Sequence, residues 1–249
     1  MKIAYISPGP IPSESANAIH IIHMCAALSN HIDELTLYTY TSIKTNDLNK
    51  IISKKYGIDI KFKIVKSINF NKETSISRIL HGLISSSKCF FLNYDYIISR
   101  SSWGTTFSIL LGLNVCHEEH SPPVHIHDKF LRIIGFKKLI KFVVISENLK
   151  KFIKAKYEKT KKSKIILLRD AAPNTLLNLK HNKIKTNNTK FKVGFSGHLY
   201  KGKGIDLILK IAQKMRNIEF HILGGPNLAV TKFKKQSTSN CIFYGNVDF

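Results

Sequence analysis

Acidic side chains are scarce in this chain: 16 Asp and Glu stand against 39 Lys and Arg, a formal net charge of +23 over 249 residues. A field of that sign draws phosphate-bearing partners, whether nucleotide-sugars, anionic lipid surfaces or nucleic acid. The sign alone does not choose among them, and lysines scattered over polar faces produce it equally well. Cysteine is scarce too. Cys25, Cys89, Cys116 and Cys241 lie far apart with no Cys-x-x-Cys pair, so neither a disulfide framework nor a zinc knuckle is expected, and a reducing cytoplasm fits. No apolar run reaches the ~20 residues of a membrane span. The longest, Phe107–Cys116 and Phe142–Ile145, read as core segments. Met1-Lys2 leads straight into Ile3-Ala4-Tyr5-Ile6, a run too short for a signal-peptide core. Any membrane contact is therefore expected to be peripheral.

What is present argues for a packed α/β chain. Hydrophobic residues make up 43% and aromatic residues 10%, enough for a core and too much for wholesale disorder. Strand-like runs at Lys2–Ser7, Glu34–Tyr40, Lys61–Val65, Tyr96–Ser99, Asn114–His117, Phe142–Ile145 and Ile165–Leu168 alternate with helical patterns. The helices are expected at Ala16–Ser29, Ser75–Leu92 and Thr105–Leu111, with another after a Ser146 cap whose Leu149, Phe152 and Ile153 share one face. Such alternation predicts a parallel sheet covered on both sides and wound in both directions. Between Ala171 and Lys190 the composition turns polar, as a linker does. Alternation restarts with strands Phe191–Ser196, Ile218–Leu223 and Cys241–Tyr244 and a helix at Ile205–Met215. The expected organisation is a Rossmann-like domain over 1–172, a linker over 173–190, and an incomplete second Rossmann-like domain over 191–249.

The segment Val193-Gly194-Phe195-Ser196-Gly197-His198-Leu199-Tyr200-Lys201-Gly202-Lys203-Gly204-Ile205 carries the clearest chemistry. A strand ends, a glycine turn follows, and a helix opens after Lys203-Gly204. Free amides at a helix start favour anions, glycine admits close backbone approach, and lysine adds a mobile cation suited to a diphosphate. An ordinary strand-to-helix turn with a solvated lysine has the same pattern. Gly197-x-x-x-x-Gly202-Lys203 approaches a Walker A loop, but Gly204 stands where Ser or Thr must hold magnesium. His117, Glu118, Glu119, His120, His125 and His127 cluster locally. His117-Glu118-Glu119-His120 lacks the spacing that puts two histidines on one helical face, and Pro122-Pro123 stops any helix there, so no metal is expected. Lys150, Lys151, Lys154, Lys156, Lys159, Lys161, Lys162 and Lys164 read as a solvated face or as a contact for an anionic leaflet.

In order, Gly197-His198, Lys203-Gly204, Asn217 to Pro226 with Gly224-Gly225, and Asn240 to Val247 resemble the donor-domain start of family 4 retaining glycosyltransferases of the GT-B fold. His198 stands where that family usually has arginine. The first domain resembles the same family at Pro8-Gly9-Pro10 with Ser15-Ala16-Asn17, at Arg100, at Glu118-Glu119-His120, at Val143 to Glu147, and at Leu167 to Ala171. The resemblance implies a metal-independent sugar transferase using a nucleotide-sugar donor. Gly197, His198, Gly202, Lys203, Gly204 and Gly225 would bind the donor. Ser15, Asn17, Arg100 and Glu118 would serve the acceptor, and Lys203 and His120 would be catalytic. The family's later Glu-x7-Glu element is expected beyond Phe249. The expected partners are thus a nucleotide-sugar and a saccharide or lipid-linked acceptor in cell-surface polysaccharide or lipopolysaccharide synthesis, with a possible anionic membrane surface and cytoplasmic location. A catalytically inactive homologue that only binds is the alternative. A nucleic-acid partner is not expected, since no recognition helix or interleaved aromatic motif accompanies the charge.

Overall fold

Residues 1–70, 73–122, 141–157, 164–171 and 190–247 are described by a computed structural model, which falls into two units, Met1–Asn178 and Leu179–Phe249. The expected linker 173–190 lies outside the described residues except for Lys190, as do His125 and His127.

In the first unit the chain runs β1 (Lys2–Ile6), α1 (Ala16–Leu28), β2 (Glu34–Thr39), α2 (Thr45–Tyr56), β3 (Lys63–Lys66), α3 (Ser75–Phe91), β4 (Tyr96–Ser99), α4 (Ser102–Leu110), β5 (Val115–Glu119), β6 (Lys141–Val144), α5 (Glu147–Tyr157) and β7 (Lys164–Leu167). The strands form one parallel sheet in the order β3-β2-β1-β4-β5-β6-β7. Chain direction across the sheet reverses between β1 and β4, the switch point at which open α/β sheets leave a crevice.

Apolar strands are what a sheet buried on both faces requires. Ile3, Tyr5, Leu35 and Leu37 pack with Ile21, Ile22, Cys25, Leu48 and Ile52 of α1 and α2 on one face. Ala4, Ile6, Tyr38, Ile97, Phe142 and Val144 form the other core with Cys89, Ile109, Leu149 and Ile153. Ser15 starts α1 by accepting the Ala18 amide at 3.2 Å. Thr74 and Ser77 form a reciprocal capping box on α3, and Ser146 accepts the Leu149 amide at 3.2 Å. Each such cap is worth about 1 kcal/mol.

Several elements differ from the sequence reading. The helix expected from Thr105 begins at Ser102, because Ser101 accepts the Gly104 amide at 3.1 Å and starts the turn earlier. β5 runs two residues past the expected end at His117, through Glu118 and Glu119, which ladder against Val143 and Val144. α2 was not anticipated; its apolar side chains Leu48, Ile52 and Tyr56 are outnumbered by polar ones. Phe152 does not share the core with Leu149 and Ile153, being 37% exposed. Phe107–Cys116 is not wholly core either, since Leu110 is 65% exposed.

The second unit holds β8 (Lys192–Ser196), α6 (Ile205–Lys214), β9 (Glu219–Leu223), α7 (Asn227–Gln236) and β10 (Cys241–Gly245). Its strands are parallel in the order β10-β9-β8. Phe220, Ile222 and Cys241 pack with Ile205, Leu209, Ala212 and Phe233 of the two helices. The architecture is α/β as expected: a doubly wound seven-stranded parallel sheet followed by a smaller, three-stranded parallel α/β unit.

Candidate active site

In the first unit a cleft of about 640 Å³ opens at the switch point, lined by Pro8, Gly9 and Pro10 after β1, Ser15 and Asn17 at the start of α1, and Arg100 after β4. A smaller adjoining cleft of about 170 Å³ is lined by Asn17, Arg100, Glu118, Glu119 and His120. Arg100 is fixed from two sides. Its amide donates to the Ile6 carbonyl at 3.3 Å, and its Nη2 donates to Asn17 Oδ1 at 2.6 Å. Arg100 Nη1 is buried and has no hydrogen-bond partner among the described residues. An unpartnered guanidinium nitrogen at a cleft leaves one donor open to an external acceptor or to water.

Glu118 lies beneath this cleft and accepts the hydroxyl of the fully buried Tyr5. Burial pushes its carboxyl up, but the His20 imidazole, the Tyr5 hydroxyl and the Arg100 charge outweigh burial and hold it below the usual carboxylate range. His20 Nε2 is 3.9 Å from Glu118 Oε1, outside hydrogen-bond reach. The His20 and His120 rings meet edge to face at 5.3 Å. Burial and the nearby Arg100 charge lower the His120 pKa to about 4, so its imidazole is neutral at pH 7 and can both donate and accept a hydrogen bond. His20, His120 and Asp170 each offer one ligand-type atom, all within 4.8 Å of one another. That set has the donor types for a divalent ion, and it suits hydrogen bonds to hydroxyls equally.

In the second unit β8 ends at Ser196 and α6 opens after Gly204, whose φ of 86° is a left-handed conformation that glycine adopts without strain. Gly204 offers no side-chain cap, so the first amides of α6 lack that partner, although Asp206 places one negative charge in the same turn. The glycine turns after β8 and β9 touch backbone to backbone. A Cβ on Gly224 would stand 2.4 Å from the Gly197 carbonyl oxygen, and one on Gly225 would stand 2.6 Å from Leu199 Cγ. Lys203 Nζ lies 5.5 Å from the centroid of the exposed Tyr200 ring, and His198 is 6.0 Å from the same ring.

The residues singled out from sequence thus fall into two groups. Ser15, Asn17, Arg100, Glu118 and His120 gather around the first unit's clefts. Ser15 is committed to capping and to a 2.9 Å contact with Ser13. Gly197, His198, Gly202, Lys203, Gly204 and Gly225 belong to the second unit's two turns. Of the local histidines, His117 is in β5 with 2% of its side chain exposed, and its Nδ1 is 2.7 Å from the Thr105 hydroxyl, away from solvent. Sequence reasoning missed Tyr5, His20 and Asp170. His20 stands one helical turn after Asn17, a spacing that puts both on one face of α1.

The fold and this geometry define a GT-B-like α/β protein with a polar cleft at the carboxyl edge of one sheet and a glycine turn at a helix start in the other. No protein-family profile matches the chain, and no curated protein sequence matches it significantly. Solved structures do match. One is a sucrose-phosphate synthase from Thermosynechococcus elongatus, with 12% identity, 100% of this chain and 71% of that one covered, and a TM-score of 0.68. A glycosyltransferase from Rickettsia africae matches with 15% identity, 99% and 68% covered, and a TM-score of 0.65. A UDP-GlcNAc 2-epimerase from Neisseria meningitidis, bound to UDP-GlcNAc, matches with 15% identity, 100% and 73% covered, and a TM-score of 0.60.

Proposed function

We propose that this protein is a glycosyltransferase of the family 4 retaining type, moving a sugar from a nucleotide-diphosphate-sugar to a saccharide or lipid-linked acceptor in cell-surface polysaccharide or lipopolysaccharide synthesis. The observation that carries the reading is the turn Gly197–Gly204. It ends at helix amides with no side-chain cap, beside Lys203, in a fold shared with proteins that act on nucleotide-sugars. As the bond to the sugar breaks, negative charge grows on the departing diphosphate. Amides and a lysine held at that position would stabilise the transition state more than the ground state. Lys203 is the group proposed to do this, with His198 assisting. Gly202, Gly204 and Gly225 keep side chains out of the way.

On the first unit, Arg100 would donate its free Nη1 to a sugar or acceptor oxygen, and Asn17 would hold that guanidinium in place. His120, neutral at pH 7, would hydrogen-bond a sugar hydroxyl. Glu118 would keep His20 and Arg100 oriented. Location at the inner face of the cytoplasmic membrane, contact with an anionic leaflet and independence of metal belong to the same reading. The epimerase match supports a second reading at the level of reaction only: a nucleotide-sugar enzyme that alters its sugar without an acceptor.

A calorimetric titration with a panel of nucleotide-sugars, with and without EDTA, followed by transfer assays, tests the proposal. Micromolar binding of one donor, unaffected by the chelator, supports it. Transfer weakened in His120→Ala with an unchanged melting temperature supports the assigned role. Binding without turnover would favour the inactive homologue. Failure of every nucleotide and nucleotide-sugar to bind would overturn the reading.

A further inference from the structure

α3 and α4 are built inside out. Helices on an α/β sheet normally turn apolar side chains inward and polar ones to water. On α3 the side facing the protein carries Ser77, His81, Gly82, Ser85, Ser86 and Cys89, all buried. The opposite side carries Ile76, Leu80, Leu83, Phe90 and Phe91, which are 66%, 36%, 41%, 45% and 77% exposed. These positions recur at helical spacing and form one stripe. α4 repeats the pattern. It buries Gly104, Thr105, Thr106 and Ser108 with a single large apolar side chain, Ile109, and turns Leu110, 65% exposed, to the side of the stacked, half-buried Trp103 and Phe107 rings.

The small residues explain how the pair holds together. A Cβ on Gly82 would meet the Gly104 nitrogen at 2.7 Å, and the Ser86 hydroxyl lies 2.9 Å from both the Gly104 carbonyl and the Ser108 hydroxyl. The helices therefore join through close backbone contact and hydroxyl bonds, and, apart from the buried Ile109, their largest apolar side chains stay at or near the surface. An apolar face of this kind left open to solvent marks a docking site.

We infer that this face docks onto an anionic bilayer surface, with α3 lying in the interface plane. Three observations choose that occupant. Neither helix contains an acidic residue, and their only charges are Arg78 and Lys88. Glu73 pairs with Arg78 at 2.7 Å and cancels that charge, which leaves Lys88 and Lys2 as the cations of the rim; Asp95 accepts the Lys2 amide at 2.7 Å, and Lys2 Nζ sits at the carboxyl end of α3 on the Leu92 carbonyl at 3.0 Å. Basic rims around aliphatic and aromatic faces are what anionic interfaces select. α3 has 17 residues, about 25 Å, and no described helix is long and apolar enough to cross a membrane. Finally, the larger cleft is lined at the amino ends of these same helices by Ser75, Arg78, Ile79, Ser102 and Trp103. Docking would bring that cleft to the lipid surface, where a lipid-linked acceptor would present its sugar. Within the proposed function, the inference rests on the peripheral-membrane part alone. It assigns contact to α3 and α4 and not to the lysines of α5.

Co-sedimentation of the full chain with vesicles tests this without any sugar transfer, so an inactive homologue gives the same result. The vesicles would be phosphatidylcholine alone, or phosphatidylcholine with about a third phosphatidylglycerol. The chain should sediment with the anionic vesicles. Leu83→Glu with Phe91→Glu should weaken partitioning at least about tenfold, since two exposed apolar anchors become charges. Ile76→Asp, at a more exposed position, should act in the same direction, and unchanged melting would show that folding is intact. Lys150→Gln with Lys151→Gln and Lys154→Gln should have the smaller effect. The inference is overturned if the chain ignores anionic vesicles at low salt, if the lysine variant loses binding while the α3 variants keep it, or if the chain is a dimer that the α3 variants dissociate.

Discussion

In the first unit β1 and β2 are buried along almost their whole length; in the second, every second residue of β8, Lys192, Gly194 and Ser196, is exposed. The first unit also buries polar groups deeply: Glu118, His117, His81 and the Tyr5 hydroxyl all lie inside it. Among the described residues of the second no charged side chain is fully buried, and its turn is shaped by backbone, glycine against glycine. Buried polar groups hold a fixed geometry through one another, but their protonation is coupled to folding. A backbone turn is insensitive to pH but intolerant of any added atom. The two units should therefore fail under different perturbations.

The largest expected contrast is with acid. Burial lowers the His81 pKa to about 4, while the Ser7 carbonyl 3.0 Å from Nε2 works weakly against that shift. The unfolded chain, with an ordinary histidine, takes up a proton near pH 6.5, which the folded chain does not do until about pH 4. Stability contributed by this group is full above pH 6.5 and is lost as pH falls toward 4, by about 3 kcal/mol. Urea unfolding of the first unit should show that decline. His81→Gln should flatten it, whatever its own effect on stability. A parallel decline in the variant would mean that other groups carry the acid sensitivity.

Gly224→Ala should produce the next effect, confined to the other unit. Its φ of 102° and the 2.4 Å approach to the Gly197 carbonyl leave no room for a methyl group. A cost of about 1–3 kcal/mol is expected. Hydrogen exchange should quicken in β8 to β10 while β1 to β5 keep their protection. Equal loosening of both units would contradict their independence.

The same contrast governs what could be read from sequence. Strand–helix alternation exposed the parallel architecture because burial on both faces leaves uninterrupted apolar strands. The Gly197–Gly204 turn was visible because its glycines, lysine and helix start are contiguous in sequence. The cluster of Tyr5, His20, Glu118 and Asp170 was only partly visible, since the sheet assembles it from positions far apart. α3 was recognised as a helix but its orientation was not. Periodicity reveals that one face is apolar, and does not say which face meets the protein. The hydroxyl-rich opposite face was the available signal, because buried serines need partners such as the Gly104 carbonyl. α2 escaped for a simpler reason: too few apolar side chains to declare a face.

A nucleoside diphosphate bound at the Gly197–Gly204 turn beside Lys203 is the premise on which the proposed function stands. Titrating the full chain and Lys203→Ala with UDP by calorimetry at pH 7 addresses it directly. Loss of one charge-assisted contact, about 1.5–3 kcal/mol, should weaken affinity roughly ten- to a hundredfold, with the melting curve unchanged. Equal affinity of the two proteins for UDP would show that the turn does not hold the diphosphate.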